Sequence, residues 1–465
     1  MSVIGSNIIA GASGTIETGY QIARSLRFNS ADSAYLNRTP ASAGNRNRWT
    51  VAFWIKPTLQ NISNVPTILG VDTSATDAIQ FEADYTMNIV AGGVSVLRTS
   101  RVFRDPASFM HVVISADTTN ATAANKLKVS INGSLETAFS TDTRSSLTTN
   151  SFKINNALIH HIGNNPAVAR YLGAYLADFY FIDGQALDPT SFGEFDANTG
   201  VWVPKAYTGT YGTNGFWLKF DDNSGVTATT LGKDSSGNGN NWTPNNFSVT
   251  AGVGNDSLVD SPTNYGTDTG AGGEVRGNYC TWNPLVPSLV AGISNGSLDA
   301  VVAAGSVTGT NVISGFGVSA GKWYFEGTVF ISGTTAAGSP YIGVAIDPSS
   351  ATSQTGALGY VSNGQKFTSA TGSAYGATFA NGDVIGVALD LDAGTIAFYK
   401  NGVSQGTAFT GLSGTYYPYA RLVRDTSYSS GFYLNAGQRP FAYTAPSGFK
   451  ALCTYACYCK SRHSI

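Results

Sequence analysis

The chain has 465 residues, enough for two or three domains, and its 42% hydrophobic content suffices for ordinary cores. Only 12% of residues are charged, about half the usual share, so the surface relies on hydroxyls and amides rather than ions. The net charge is −2 with Lys and Arg scattered, which removes the basic stripe that nucleic-acid binding needs. No apolar run approaches the ~20 residues of a transmembrane helix. The opening residues lack the basic and apolar regions of a secretory signal, so none is expected.

Residues 1–24 are small, polar and Gly-rich, with Val3, Ile4, Ile8 and Ile9 as anchors, and read as an extended docking arm. Strand signals then become regular: Ser25–Phe28, Tyr35–Arg38 and the aromatic, β-branched run Trp49–Pro57. Thr67–Gly70, Ala78–Phe81, Met87–Val90 and Val94–Leu97 continue the series. An alternating strand runs into Asn132-Gly133, the pair that best accepts the positive φ values of a tight hairpin. Leu158–Gly163 and Gly173–Gly184 follow, with one helical turn expected at Asp188-Pro189-Thr190 and Asp188 as its N-cap. Adjacent His160 and His161 face opposite sides of a strand and cannot share a metal without distortion.

Residues 201–279 read as a Gly/Asn-rich connector packing on the first sandwich. A second strand series occupies residues 280–452, including Lys322–Phe330, Tyr341–Ile346, Asp383–Asp390 and Tyr416–Leu422. It contains a second Asn-Gly hairpin at Asn401-Gly402. The expected fold is therefore all-β, two antiparallel jelly-roll sandwiches, with residues 453–465 as a tail.

Residues 25–200 resemble the concanavalin A-like superfamily in its laminin-G-like branch, through Ser25–Phe28, Trp49–Pro57, the Asn132-Gly133 hairpin and the stretch ending at Pro189. Residues 280–452 resemble a SPRY (B30.2-like) domain, through the pieces beginning at Gly321, Tyr341, Asp383 and Tyr416. The whole arrangement resembles bacteriophage virion proteins that carry both modules. The opening residues 3–14, the stretches 25–50, 234–248 and 261–266, and the closing 437–454 carry that likeness; residues 455–465 match nothing. The resemblance implies a tail-fibre, spike or capsid-surface protein on the virion, assembled in the host bacterial cytoplasm. It implies homo-oligomers, a trimer by analogy, and contact with other virion proteins through the arm.

A glucanase needs two carboxylates about 5 Å apart on one strand. Glu194-Phe195-Asp196 lacks the second glutamate, so no enzymatic activity is expected. Asp221, Asp222, Asp234 and Asn238 offer hard oxygens in glycine-rich loops and are calcium candidates, set against ordinary turn chemistry. Trp202, Tyr207, Tyr211 and Trp242 lie in loop-like sequence and could stack on a sugar, or simply pack. In SPRY-like domains loops carry the partner surface, here residues 350–359, 369–376 and 424–430, and Tyr360, Tyr375, Arg421, Arg424 and Tyr428 are the contact candidates. Cys453, Cys457, Cys459 and His463 could in principle surround zinc, but their spacing fits no common module and reduced thiols are the plainer reading. Cys280 and Cys453 bracket the second module and are expected to approach as thiols.

The functional expectation is a non-enzymatic virion adhesin binding host glycan or envelope protein. Capsid decoration is the structural alternative and polysaccharide cleavage the third.

Overall fold

The computed structural model describes residues 19–58, 62–74, 76–286, 292–306, 308–333, 338–346, 354–369 and 371–455. Most of the expected arm, residues 1–18, lies outside the described residues, as do residues 347–353 and Cys457, Cys459 and His463 of the tail. Contacts divide the chain at Thr263/Asn264, so residues 264–279 lie with the C-terminal unit rather than with a connector on the first sandwich.

The N-terminal unit, through Thr263, holds two eight-stranded antiparallel sheets. The first runs Ser134–Leu135, Leu127–Ile131, Met110–Asp117, Arg48–Pro57, Ala174–Asp183, Ser25–Phe28 and Ser257–Leu258, with Phe216–Leu218 also paired to Ala174–Asp183. The second runs Phe139–Asp142, Val94–Val102, Thr86–Ala91, Asp77–Phe81, Thr67–Val71, His160–Ile162, Tyr35–Arg38 and Thr243–Asn245. Alternate residues meet in one core, where Phe53 stacks on Phe179 at 5.1 Å and Trp49 meets Phe152 edge-on at 5.0 Å. Two ion pairs lie fully inside this unit: Arg27–Asp256 at 3.0 Å and Lys56–Asp260 at 2.5 Å.

Strand Ala174–Asp183 carries a bulge. Ala177 opposes Trp54 and Tyr180 opposes Ala52, so Asp178 and Phe179 together face Phe53 alone. The bulge sets Asp178 at φ +52°, unusual for a residue with a side chain.

The C-terminal unit also holds two sheets. Eight strands run Gly292–Ser294, Asp299–Val302, Ser429–Asn435, Lys322–Ser332, Val384–Asp390, Thr395–Lys400 and Val403–Thr410, with Lys450–Ala451 added in parallel to Lys322–Ser332. Six strands run Thr308–Ile313, Tyr417–Arg424, Tyr341–Ala345, Ala357–Val361, Gln365–Thr368 and Thr371–Ala374. The sheets face each other closely: a methyl at Gly327 would lie 2.3 Å from Ile342 Cδ1. Tyr279 bridges Cys453 and the Cys280 amide donates to the Leu452 carbonyl at 3.2 Å, which sets the two buried cysteine segments side by side.

Both Asn-Gly hairpins take positive φ, +47° and +78° at Asn132-Gly133, +49° and +77° at Asn401-Gly402. Among the described residues helix is confined to short turns. The turn Pro189–Ser191 follows Asp188, but the Asp188 side chain makes no capping hydrogen bond; the backbone closes the turn instead.

Candidate functional site

The loop aromatics singled out as sugar-stacking residues are packed. Trp202 is 7% exposed and lies across two glycines: methyls at Gly133 and Gly193 would fall 2.3 and 2.4 Å from its ring. Its indole Nε1 donates to His111 Nδ1 at 3.0 Å. Burial drives the His111 imidazole down to about 3, so it stays neutral and able to accept that bond. Trp242 is 1% exposed and meets Phe216 edge-on at 5.0 Å. Tyr207 and Tyr211 are half-buried and pack on Tyr180 and Phe192.

The calcium candidates serve their own loops. Asp234 accepts from the Trp217, Ser236 and Asn240 amides at 2.8–2.9 Å and from the Ser236 hydroxyl at 2.8 Å, which fills both carboxylate oxygens. Asp222 accepts from the Ser224 amide and hydroxyl, and Asp221 pairs with Lys219 at 2.9 Å. Asn238 spends its amide on the Gly212 and Gly215 carbonyls. Turn chemistry claims these oxygens first, and among the described residues no group of three or more His, Cys, Asp or Glu could hold a metal. His160 and His161 also part ways: His160 accepts from the Asn155 amide, while His161 packs on Tyr35. Glu194 lies on the short strand Gly193–Phe195, and Asp196 holds the Asn198 and Thr199 amides of a turn.

In the C-terminal unit the five contact candidates scatter. Tyr360 is fully buried between the sheets, 5.7 Å from the Phe398 ring, and its hydroxyl donates to the Ala377 carbonyl. Tyr375 is half-buried, donating to Gly406 and accepting from the Phe398 amide. Tyr428 is 7% exposed in a tight turn bridged to Asp425. Arg424 lies over Gly305. Arg421 alone joins a larger constellation.

That constellation sits on the outer face of the six-stranded sheet. Side chains alternate across a strand, so Tyr417, Tyr419 and Arg421 share one face, and Tyr341 opposes Arg421 across the ladder. Tyr341 stacks on Phe367 at 4.9 Å and lies 5.9 Å from Tyr419. Glycines make the floor: a methyl at Gly359 would meet the Tyr341 ring at 2.3 Å, and one at Gly309 would meet the Arg421 guanidinium at 2.3 Å. Tyr341 donates to Gln354 Oε1 at 3.0 Å and Arg421 to Asn311 Oδ1 at 3.3 Å. Tyr341 and Tyr419 are buried, and burial pushes the Tyr341 hydroxyl up to about 12, so both stay neutral donors. Phe367, Tyr417 and Arg421 remain half-exposed around them. Sequence reasoning missed Tyr341, Phe367 and Tyr419. The period-two spacing of Tyr417, Tyr419 and Arg421 was the available signal.

Comparison with known proteins bears on this unit. Residues 322–436 match the SPRY domain family. The E3 ubiquitin-protein ligase RKP of Arabidopsis thaliana is 42% identical over 83 residues, 17% of this chain and 6% of that protein. Human Ran-binding protein 9 is 41% identical over 75 residues, 16% of this chain and 10% of that protein. The chain thus spans a small part of the length of the relatives it matches. Among solved structures the SPRY domain of human HERC1 aligns at 19% identity and a TM-score of 0.26, covering 31% of this chain and 91% of that one.

These matches overturn the virion reading. The relatives are plant and vertebrate proteins, named as a ubiquitin ligase and Ran-binding proteins. The tail-fibre adhesin, capsid-decoration and depolymerase roles fall with it. So do virion proteins and host glycan as partners, the trimeric appendage and the virion-surface location. What the matches support is narrower: residues 322–436 form a SPRY domain within the C-terminal unit.

Proposed function

We propose that the C-terminal unit is a non-catalytic module that binds a segment of another protein on the outer face of its six-stranded sheet. One observation carries this reading: an aromatic and arginine array with half-exposed Phe367, Tyr417 and Arg421 set around buried Tyr341 and Tyr419. Aromatic rings and arginine dominate binding hot spots because they offer large rigid contact area and directed donors. The names of the matched relatives, a ubiquitin ligase and Ran-binding proteins, suit a module that delivers a protein to other machinery. The N-terminal unit is proposed as a laminin-G-like sandwich on the same polypeptide.

Selection of a displayed random-peptide library on the purified chain tests the proposal. Enriched peptides should bind at least about tenfold more weakly to Phe367→Ala and to Arg421→Ala, as hot-spot truncation predicts. They should bind unchanged to Lys205→Ala, on the N-terminal unit. Peptides indifferent to both face variants would overturn it.

A further inference from the structure

The N-terminal unit buries a carboxylate that neither the packing of the sheets nor the proposed function uses. Asp178 is 2% exposed and sits on the bulge of strand Ala174–Asp183. Its Oδ1 accepts from the Tyr20 hydroxyl at 2.9 Å and from Trp217 Nε1 at 2.5 Å. Both donors are neutral. The buried carboxylates Asp256 and Asp260 of the same unit each hold a cation, but among the described residues Asp178 forms no ion pair.

The surroundings are aromatic. Tyr180 stacks on Trp217 at 5.3 Å, and Tyr20 stands 6.3 Å from Trp217. The Tyr180 hydroxyl is buried and makes no hydrogen bond of good geometry, but it faces Asp178 and Tyr20 closely enough to interact with both. Tyr20, Tyr211 and Trp217 are half-exposed and form the rim. A cation acting on the carboxylate, Lys219, is bonded to Asp221 at 2.9 Å and lies 5.2 Å over the Trp217 ring. That placement shows the ring already accepting a cation on its face.

We propose that this Asp178 site binds a cationic head group that bears N–H donors, a primary ammonium or a guanidinium. A charged donor satisfies the remaining carboxylate oxygen beside the Tyr180 hydroxyl, and the rings of Tyr20 and Tyr211 favour positive charge over neutral polarity. An anionic ligand would face the carboxylate, and a purely apolar one would bring its charge no donor. Burial holds the carboxyl up to about 6 against its hydrogen bonds and the Lys219 charge, so occupancy should follow its ionisation. The groups facing it are Tyr20, Tyr180, Tyr211 and Lys219; burial pushes the three tyrosine hydroxyls up, so they stay neutral between pH 5 and 7.5.

Titration of the full chain with ethylamine and with ethylguanidine, followed by the Trp217 indole N–H resonance, tests the site. Saturable shifts are expected at pH 7.5 and several-fold weaker binding at pH 5. Asp178→Asn keeps an acceptor for Tyr20 and Trp217 but loses the charge, and should bind at least about tenfold more weakly. Tyr20→Phe keeps the wall yet releases Oδ1, so affinity should hold or rise; a merely structural role predicts no binding in either protein. End-blocked Ala-Lys-Ala and Ala-Arg-Ala separate the sources: peptides that bind point to a basic side chain of a partner, small amines alone to a free metabolite. No saturable shift in the wild type, or equal binding by Asp178→Asn, would overturn the proposal.

Discussion

The two Asn-Gly hairpins solve the same problem at different depths. In each, the asparagine amide and side chain bond the backbone of the strand before: Asn132 to His111, Asn401 to Val384. In each, an aromatic ring from far downstream lies on the glycine, Trp202 on Gly133 and Tyr443 on Gly402. Yet Trp202 is 7% exposed and tied to His111, while Tyr443 is 36% exposed at the surface. Identical local chemistry was therefore used once inside a packed layer and once at the rim. The same contrast runs through the charges: the N-terminal unit buries two ion pairs, whereas Lys322–Asp390 and Lys400–Asp383 of the C-terminal unit lie near the surface.

The largest effect should come from those charges. Lys56→Met strands the Asp260 carboxylate at 1% exposure and removes a cation held between the rings of Phe109 and Tyr175. Breaking one partner of a buried pair costs about 3–5 kcal/mol. Lys400→Met, at a pair 26% and 18% exposed, should change stability by less than about 1 kcal/mol. Urea unfolding of both variants checks this, and equal losses would erase the distinction between the units.

The glycines come next. Gly133→Ala forces a methyl into a buried indole at φ +78°, an overpacking and backbone cost of about 2–4 kcal/mol. Gly402→Ala meets a ring that can turn toward solvent, so about 1 kcal/mol of backbone strain should remain. A double variant Gly402→Ala/Tyr443→Ala that recovers none of the loss would place that cost wholly in the turn.

The alternation of strands and both hairpins was legible because period-two burial and Asn-Gly turns are local signals. Location was harder to read. Loop-like sequence around Trp202 and Trp242 concealed rings that pack inward, because the seat of Trp202 is made in part by Gly133 of a distant hairpin. Tyr360 read as a loop contact but alternates inward, while its neighbours Tyr341 and Phe367 face out. Asp178 was invisible for a related reason: the bulge that turns it away from the core depends on pairing with Trp49–Pro57 residues more than a hundred positions earlier.

The smallest effect is a slope with pH, and it too separates the units. His111, His160 and His161 all lie in the N-terminal unit, with burial pressing them down to about 3, 4 and 4. The unfolded chain takes up their protons near 6.5 while the fold refuses them, so their stabilisation is complete above pH 6.5 and is lost as pH falls. Asp77 and Asp178, raised to about 6 by burial, act the other way: the fold takes protons before the unfolded chain does. Three imidazoles against these two carboxyls, with Asp256 also raised by burial, leave the unfolded chain ahead by at most about one proton near pH 5.5, or at most ~1.4 kcal/mol per pH unit. The described C-terminal unit contains no histidine, and its raised Glu326 favours the fold in acid. Acidification from pH 7 to 5 should therefore lower the melting transition of the N-terminal unit and leave the other in place or raise it. His111→Gln should remove most of the N-terminal slope, since one imidazole carries about one proton of a net difference of about one. Two transitions that move together under calorimetry would mean the units melt as one, and the contrast drawn from their hairpins would have no thermodynamic counterpart.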